Sequence, residues 1–425
     1  MRVLVDQSGY DLLNMGDVAM LQACVAQLRR LWPHADIAVI CHDAERLAEY
    51  CPGATPVPAG LGRPGAMPGT LQRVRLGAGQ VHKMTRPYIA TGRAWSRPAR
   101  RPRSLTAAVR WADVVVASGG GYLSDTWWWH GFGVLSMLDL AQRLGKPTAM
   151  FGQGLGPLTH PVLRRQARRV LPRLHVLGLR EGVTGPPLAE ALGVPADRVE
   201  VTGDDVMGLV GDDMTGVAGE PTSTPALGVN ARVSGYAGVD KAVAGVVGEA
   251  LAKVVAEKGA AVIALPVSRY ERDADLWNIL ALWPGPLPAG SVVQDLRTPS
   301  ALGAAAAGCR SVVTGSYHGA VYALAAGVPT ICLTNSEYFN AKFAGIEALF
   351  PAAAQVVPLT GGDLEQRLAE AVDRSWDVDQ ETRQATRQLA RRQARASVAL
   401  YERFAELVDA AGGGQASRAP EDETT

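Results

Sequence analysis

Cysteine is scarce in this chain, and its five residues, Cys24, Cys41, Cys51, Cys309 and Cys332, show no Cys-x-x-Cys spacing and mostly fall in apolar runs. They are expected as buried free thiols, which excludes a disulfide framework and a zinc site; no metal is expected. No apolar run approaches the roughly 18 residues that a membrane span requires. The net charge of +1 provides no global field to recruit nucleic acid, so no nucleic-acid partner is expected. The segment MRVLVDQSGYD enters a strand and meets Asp6 without a targeting pattern, so a cytoplasmic location is expected.

What is present is the composition of a globular protein, 47% hydrophobic and 20% charged over 425 residues, a length for two or three domains. Short β-branched runs alternate with helical stretches. Val3 to Val5, Ile37 to Ile40, Val114 to Ala117, Thr148 to Phe151 and Val199 to Thr202 are expected strands of the first half. Leu227 to Asn230, Ala261 to Leu265, Ser311 to Thr314 and Thr330 to Leu333 serve the second. Strands separated by helices imply parallel sheets, hence an α/β fold. The stretch 211–225, rich in Gly, Pro, Ser and Thr, is expected to link domains at 1–210 and 226–375. ADVVVASGGG with LGKPTAMF, and CRSVVTGSYHG with AGVPTICL, echo each other as strand, small-residue turn, helix and strand. A long helix is expected within 376–411 and a disordered tail at 412–425. Segment 60–104 carries ten Lys or Arg and no acid. It is expected as a solvated loop or exposed helix, with contact to an anionic lipid surface or acidic acceptor as the sharper reading.

Residues 310–346 are the most informative. Ser311 to Thr314 form a strand, Gly315 and Ser316 a turn, and His318 to Ala326 a helix ended by Gly327. In an open parallel sheet, ligands bind in the crevice beyond the strand ends. His318 is therefore expected at a helix N-terminus that favours an anion, with Lys342 following the next strand. Arg180, Arg232 and Arg269 also follow expected strands, and together they suit a phosphate or carboxylate ligand, although each alone fits a structural ion pair. In the first half, Gly119, Gly120 and Gly121 follow DVVVA and can present backbone N–H groups to an oxyanion or a sugar hydroxyl. Asn14 and Asp17 occupy the first strand-to-helix connection, where an N-cap is the equal alternative. Three adjacent indoles, Trp127 to Trp129, cannot all face one core, which leaves Trp128 as a candidate sugar platform. Neither glycine loop matches a dinucleotide or P-loop fingerprint.

NMGDVAM at 14–20, DVVVASGGGYLSD at 113–125, GQGLGP at 152–157, LREGVT at 179–184, VTGDD at 201–205 and SYHGAVYALAAGVPTICL with Lys342 together resemble the polysaccharide pyruvyl transferase family. The resemblance implies two Rossmann-like domains around a cleft, as in GT-B glycosyltransferases. It further implies transfer of an enolpyruvyl unit from phosphoenolpyruvate, a co-substrate needing no further cofactor, to a sugar hydroxyl, giving a pyruvate ketal. The acceptor is a sugar or glycan, including a lipid-linked one. On this reading 1–210 is the acceptor side, with Asn14, Asp17, Gly119 to Gly121 and Trp128. The donor side is 226–375, with His318 as catalytic acid or as holder of the phosphate and Arg232, Arg269, Ser316 and Lys342 binding the donor together with Arg180 from the first half. Ser316 stands where the family often has arginine in Arg-x-His. That departure keeps two alternatives open, a glycosyltransferase using a nucleotide sugar and a non-catalytic glycan-binding or assembly protein.

Overall fold

The computed structural model describes residues 1–59, 104–210, 224–233, 237–271 and 274–416. The expected basic segment 60–104, the stretch 211–225 and the tail 412–425 fall largely outside these residues. Continuous apolar runs such as RVLVD, VVVA and SVVT become parallel strands covered on both faces, the pattern that helices on either side of a sheet require.

The first sheet begins with β1 (Arg2–Asp6), β2 (Asp36–Cys41), β3 (Thr55–Pro58) and β4 (Val114–Ala117), and continues with β5 (Gly120–Leu123), β6 (Thr148–Leu155), β7 (Val176–Leu179) and β8 (Val199–Val201). Its order is β3-β2-β1-β4-β6-β7-β8, with β5 paired to β6. The second contains β9 (Ala226–Asn230), β10 (Ala261–Ala264), β11 (Ser311–Thr314), β12 (Thr330–Thr334) and β13 (Ala354–Pro358), in the order β10-β9-β11-β12-β13. The strand order reverses between β1 and β4 in one sheet and between β9 and β11 in the other. Those two switch points are where side chains after adjacent strands splay apart and leave a crevice.

Four helices bring the two crevices together: α1 (Met15–Leu31) after β1, α11 (Tyr317–Ala325) after β11, α12 (Glu337–Leu349) after β12, and the terminal α14 (Gln380–Ala416). The lobes touch through backbone as well as side chains. Met15 N–H donates to the Val267 carbonyl at 2.8 Å, and Asn14 forms an antiparallel bridge with Ser268. Tyr322 OH donates to the Met15 carbonyl at 2.9 Å, and Tyr338 OH to the Gly121 carbonyl at 3.0 Å.

Helix α14 spans both lobes. Near its start Arg387 donates to the Ala326 carbonyl of the second lobe at 3.3 Å. Further along, Tyr401 stacks on Phe151 of β6 with ring centroids 3.7 Å apart. Asp205, just past β8, accepts from Ser397 Oγ at 2.7 Å and Tyr401 OH at 3.2 Å. All five cysteines are buried and unpaired. No described helix is long and apolar enough to cross a membrane.

Burial pushes the carboxyls of Asp6 and Asp205 up to about 7. An unfolded aspartate titrates near 3.9, so between about pH 4 and 7 these two carboxyls hold more protons in the folded chain than in the unfolded one. Their contribution to stability falls as pH rises through that window, while the buried imidazole of His130, held down to about 4, contributes in the opposite sense. Thermal denaturation should show the Tm of the native chain falling relative to that of Asp205→Asn between about pH 4 and 7. A difference that shifts in favour of the native chain across the window would contradict this assignment.

Candidate active site

Each residue of the central cluster is delivered by the end of a strand. Arg180 directly follows β7, Asp204 follows β8, His318 opens α11 after β11, Lys342 lies on α12 after β12, and Asp17 lies in the first turn of α1 after β1. His318 and Arg180 are buried, with Arg180 only 1% exposed. Asp204 Oδ2 is 3.6 Å from His318 Nε2 and 3.9 Å from Arg180 Nη1, within ion-pair range and beyond hydrogen-bond length. The guanidinium of Arg180 lies 4.0 Å over the Tyr317 ring. Lys342 Nζ donates to Tyr338 OH and sits 3.7 Å over that ring.

Glycines allow this density. A Cβ on Gly16 would meet His318 Cγ and Nδ1 at 2.0 Å, so the imidazole rests directly on the backbone of α1. A Cβ on Gly121 would meet Lys342 Nζ at 2.5 Å and Arg180 Nη2 at 2.8 Å. Two cations from different lobes therefore converge on one point beside the triple-glycine turn. The other two glycines do different work: Gly119 packs on Met20 and the Gly152 carbonyl, and Gly120 on Tyr122 and Ser8.

The electrostatics are those of a site short of an anion. Burial pushes Asp204 up, but His318 and Arg180 outweigh it and hold the carboxyl below its ordinary range. Burial raises Asp17, with His318, Ser8, Lys342 and Arg180 pulling it back. Burial and the neighbouring Arg180 drive Lys342 well below the ordinary lysine value. Arg180 Nη2, His318 Nε2, Asp204 Oδ2 and Tyr317 OH are buried without hydrogen-bond partners among the described residues. Buried polar atoms are nearly always satisfied, and orphans clustered at two switch points mark a binding site.

The remaining expected site residues lie as follows. Arg232 is buried and donates to Asp275 Oδ2 at 3.1 Å, and Asp275 is also held by Asn230, Val267 N–H and Ser268 N–H. Arg269 pairs with Asp295 at 3.2 Å, beside Arg297, apart from the cluster. Ser316 occupies the N-cap position of α11 without a side-chain cap, its N–H donating to Thr314 Oγ1 at 2.9 Å. Asn14 Oδ1 accepts from Gly16 N–H at 2.9 Å and Asp17 N–H at 3.3 Å, a helix cap. Trp128 stacks on His160 at 4.8 Å.

Asp204, Tyr317 and Tyr338 join the cluster without having been singled out by sequence reasoning. The only signal for Asp204 is its place in VTGDD, directly after a strand. Glu181 of LREGVT is a turn-former: its carboxylate accepts from Val183, Thr184 and Gly185 N–H at 2.7 to 2.9 Å and so fixes the loop that leads away from Arg180.

Two Rossmann-like sheets with facing switch points and a terminal helix tied to both lobes define a fold of the GT-B kind. Solved structures with this architecture include a calicheamicin glycosyltransferase, 16% identical, each chain covered over 99%, TM-score 0.52. The UDP-GlcNAc 2-epimerase of Neisseria meningitidis is 12% identical, covering 96% of this chain and 100% of its own, TM-score 0.53. That of Methanocaldococcus jannaschii is 13% identical, with 89% and 94% covered and a TM-score of 0.53. At such identities the likeness establishes the fold alone. No curated protein matches the chain in sequence. The profile of the polysaccharide pyruvyl transferase family matches residues 14–337, and the chain belongs to that family.

Gly16→Ala should push the His318 ring off its seat, and a displacement of about 1 Å at a reacting group costs on the order of 100-fold in rate. Gly245→Ala, where nothing lies within 4 Å of the new methyl group, should leave turnover unchanged. Equal activity in both variants would show that the seat of the imidazole does not matter.

Proposed function

We propose that this protein transfers an enolpyruvyl unit from phosphoenolpyruvate to a sugar hydroxyl and closes a pyruvate ketal on a glycan. The convergence of Arg180 and Lys342 on the Gly121 turn, with His318 seated on Gly16 and sharing Asp204 with Arg180, within the stretch matched by the family profile, carries the reading. Phosphoenolpyruvate presents a phosphate and a carboxylate, and its chemistry requires a proton at the methylene carbon. Arg180, rigid and stacked on Tyr317, suits bidentate binding of one anion; Lys342 suits the other as a point charge. His318, with Asp204 facing Nε2, suits the proton donor.

In this reaction C3 gains a proton and one acceptor hydroxyl adds to C2. The C2–O bond to phosphate then breaks, and a second hydroxyl closes the ring. One hydroxyl proton ends on the new methyl group and the other on the departing phosphate. Asp204 would favour the protonated imidazole and hold its orientation, acting through His318. The orphaned polar atoms of the cluster support a ligand that supplies several anionic oxygens at once.

The Ser316 departure and the nucleotide-sugar epimerases among the structural neighbours favour a nucleotide sugar as the alternative donor. The two readings differ in the leaving group. With phosphoenolpyruvate and glycan acceptors, phosphate should appear in step with ketal, and His318→Ala should lower kcat by about 100-fold or more while phosphoenolpyruvate still raises Tm. Release of a nucleoside diphosphate without phosphate would replace this proposal with glycosyl transfer, and acceptor binding with no turnover would replace it with a glycan-binding role.

A further inference from the structure

Lys342 is one of 6 lysines in a chain that has 36 arginines. Where permanent positive charge serves, this protein uses arginine, as at Arg180 in the same cluster. A lysine differs from arginine chiefly in being able to lose its proton when buried.

The surroundings of Lys342 favour that loss. Its Nζ is packed over the Tyr338 ring, 5.9 Å from the Tyr317 ring centroid and 5.7 Å from that of Phe339, whose faces attract an ammonium; against that attraction stand its burial and the Arg180 guanidinium. Gly121 holds the amine and the Arg180 guanidinium against one point. The nearest carboxylates serve other cations. Asp204 faces Arg180 and His318. Asp17, in the first turn of α1, lies within electrostatic reach of Lys342 but is shared with His318 and Arg180. Arg232, after β9, adds repulsion from the second lobe. Among the described residues the one hydrogen-bond partner of Lys342 is the neutral phenol of Tyr338, and an uncharged amine can donate in that bond as an ammonium does.

We propose that Lys342 stands uncharged in the empty site and is protonated by the anion that enters between it and Arg180, so that ligand binding takes up one proton. The inference rests on the anion-binding reading above. It adds that the site is charged by its ligand: repulsion between two like cations is postponed until the anion that repays it is present. Arg180 orients the anion permanently, and Lys342 supplies the second charge on demand.

Isothermal titration calorimetry with phosphoenolpyruvate at about pH 8.5, in two buffers of different ionisation enthalpy, measures the proton directly. The ligand's phosphate is already a dianion there and takes up none itself. Roughly one proton should be absorbed per site, and affinity should fall by up to about tenfold per pH unit, the slope that one linked proton imposes. In Lys342→Arg, whose guanidinium cannot be deprotonated, uptake should vanish and affinity become flat with pH. Binding without uptake in the native protein, or uptake that persists in Lys342→Arg and so belongs to His318, would overturn the proposal while leaving pyruvyl transfer standing. The free protein tests it without any ligand. With lysine labelled by carbon-13 at Cε, six resonances are expected, and the one missing in Lys342→Arg should titrate well below the rest. If it titrates among them, the proposal fails whatever the donor proves to be.

Discussion

Holding Arg180 and Lys342 against the one Gly121 turn, with His318 across Asp204 from Arg180, away from water, is the constraint around which this molecule is arranged. Once protonated, groups at such separations repel strongly in a protein interior, and each also loses its hydration. Asp204 and Asp17 offset part of that cost, and the Tyr317 and Tyr338 rings another part. Asp204 and Asp205 are adjacent in the chain yet face opposite ways. One looks into the cation cluster and is kept ionised; the other looks at Ser397 and Tyr401 and is driven toward its neutral form. Two neighbouring aspartates thus do unlike work, one electrostatic balance and one attachment of a helix.

The topology explains why these particular side chains meet. Each lobe leaves its crevice at the place where strand order reverses, and the lobes are turned so that the crevices face each other. The first contributes Asp17, Arg180, Asp204 and the Gly121 turn; the second contributes Tyr317, His318, Tyr338 and Lys342. Neither set amounts to a site alone. Gly16 and Gly121 are points where the two surfaces press together, and at both no room remains for a methyl group.

The α/β class was legible because buried parallel strands read as unbroken β-branched runs, and VVVA and SVVT could hardly be anything else. Short strands escaped: β5 and β13 contain Gly, Gln and Pro and owe their form to the neighbours they pair with. In the site, His318 and Lys342 could be placed after strands from the chain alone. Whether an arginine after a strand points inward or toward a surface acid could not. Arg180 and Arg269 look alike in sequence, but one meets Tyr317 and the other Asp295. Asp204 was hidden for a related reason: an aspartate pair after a strand reads as a turn, and its role appears only when the second lobe brings His318 to it. Asn14 shows the converse, a polar residue at the right rim whose oxygen is consumed by capping its own helix.

Helix α14 has a mechanical meaning. It is 37 residues long, about 55 Å at 1.5 Å per residue, and is fastened near one end to the Ala326 carbonyl and farther along to Phe151 and Asp205. A rod pinned to both halves permits rotation about itself far more readily than separation along its length. Any opening of the crevice that keeps these anchors must therefore turn about this rod as a spine, parting the contacts at Gly121 and Met15 while Asp205 keeps its grip.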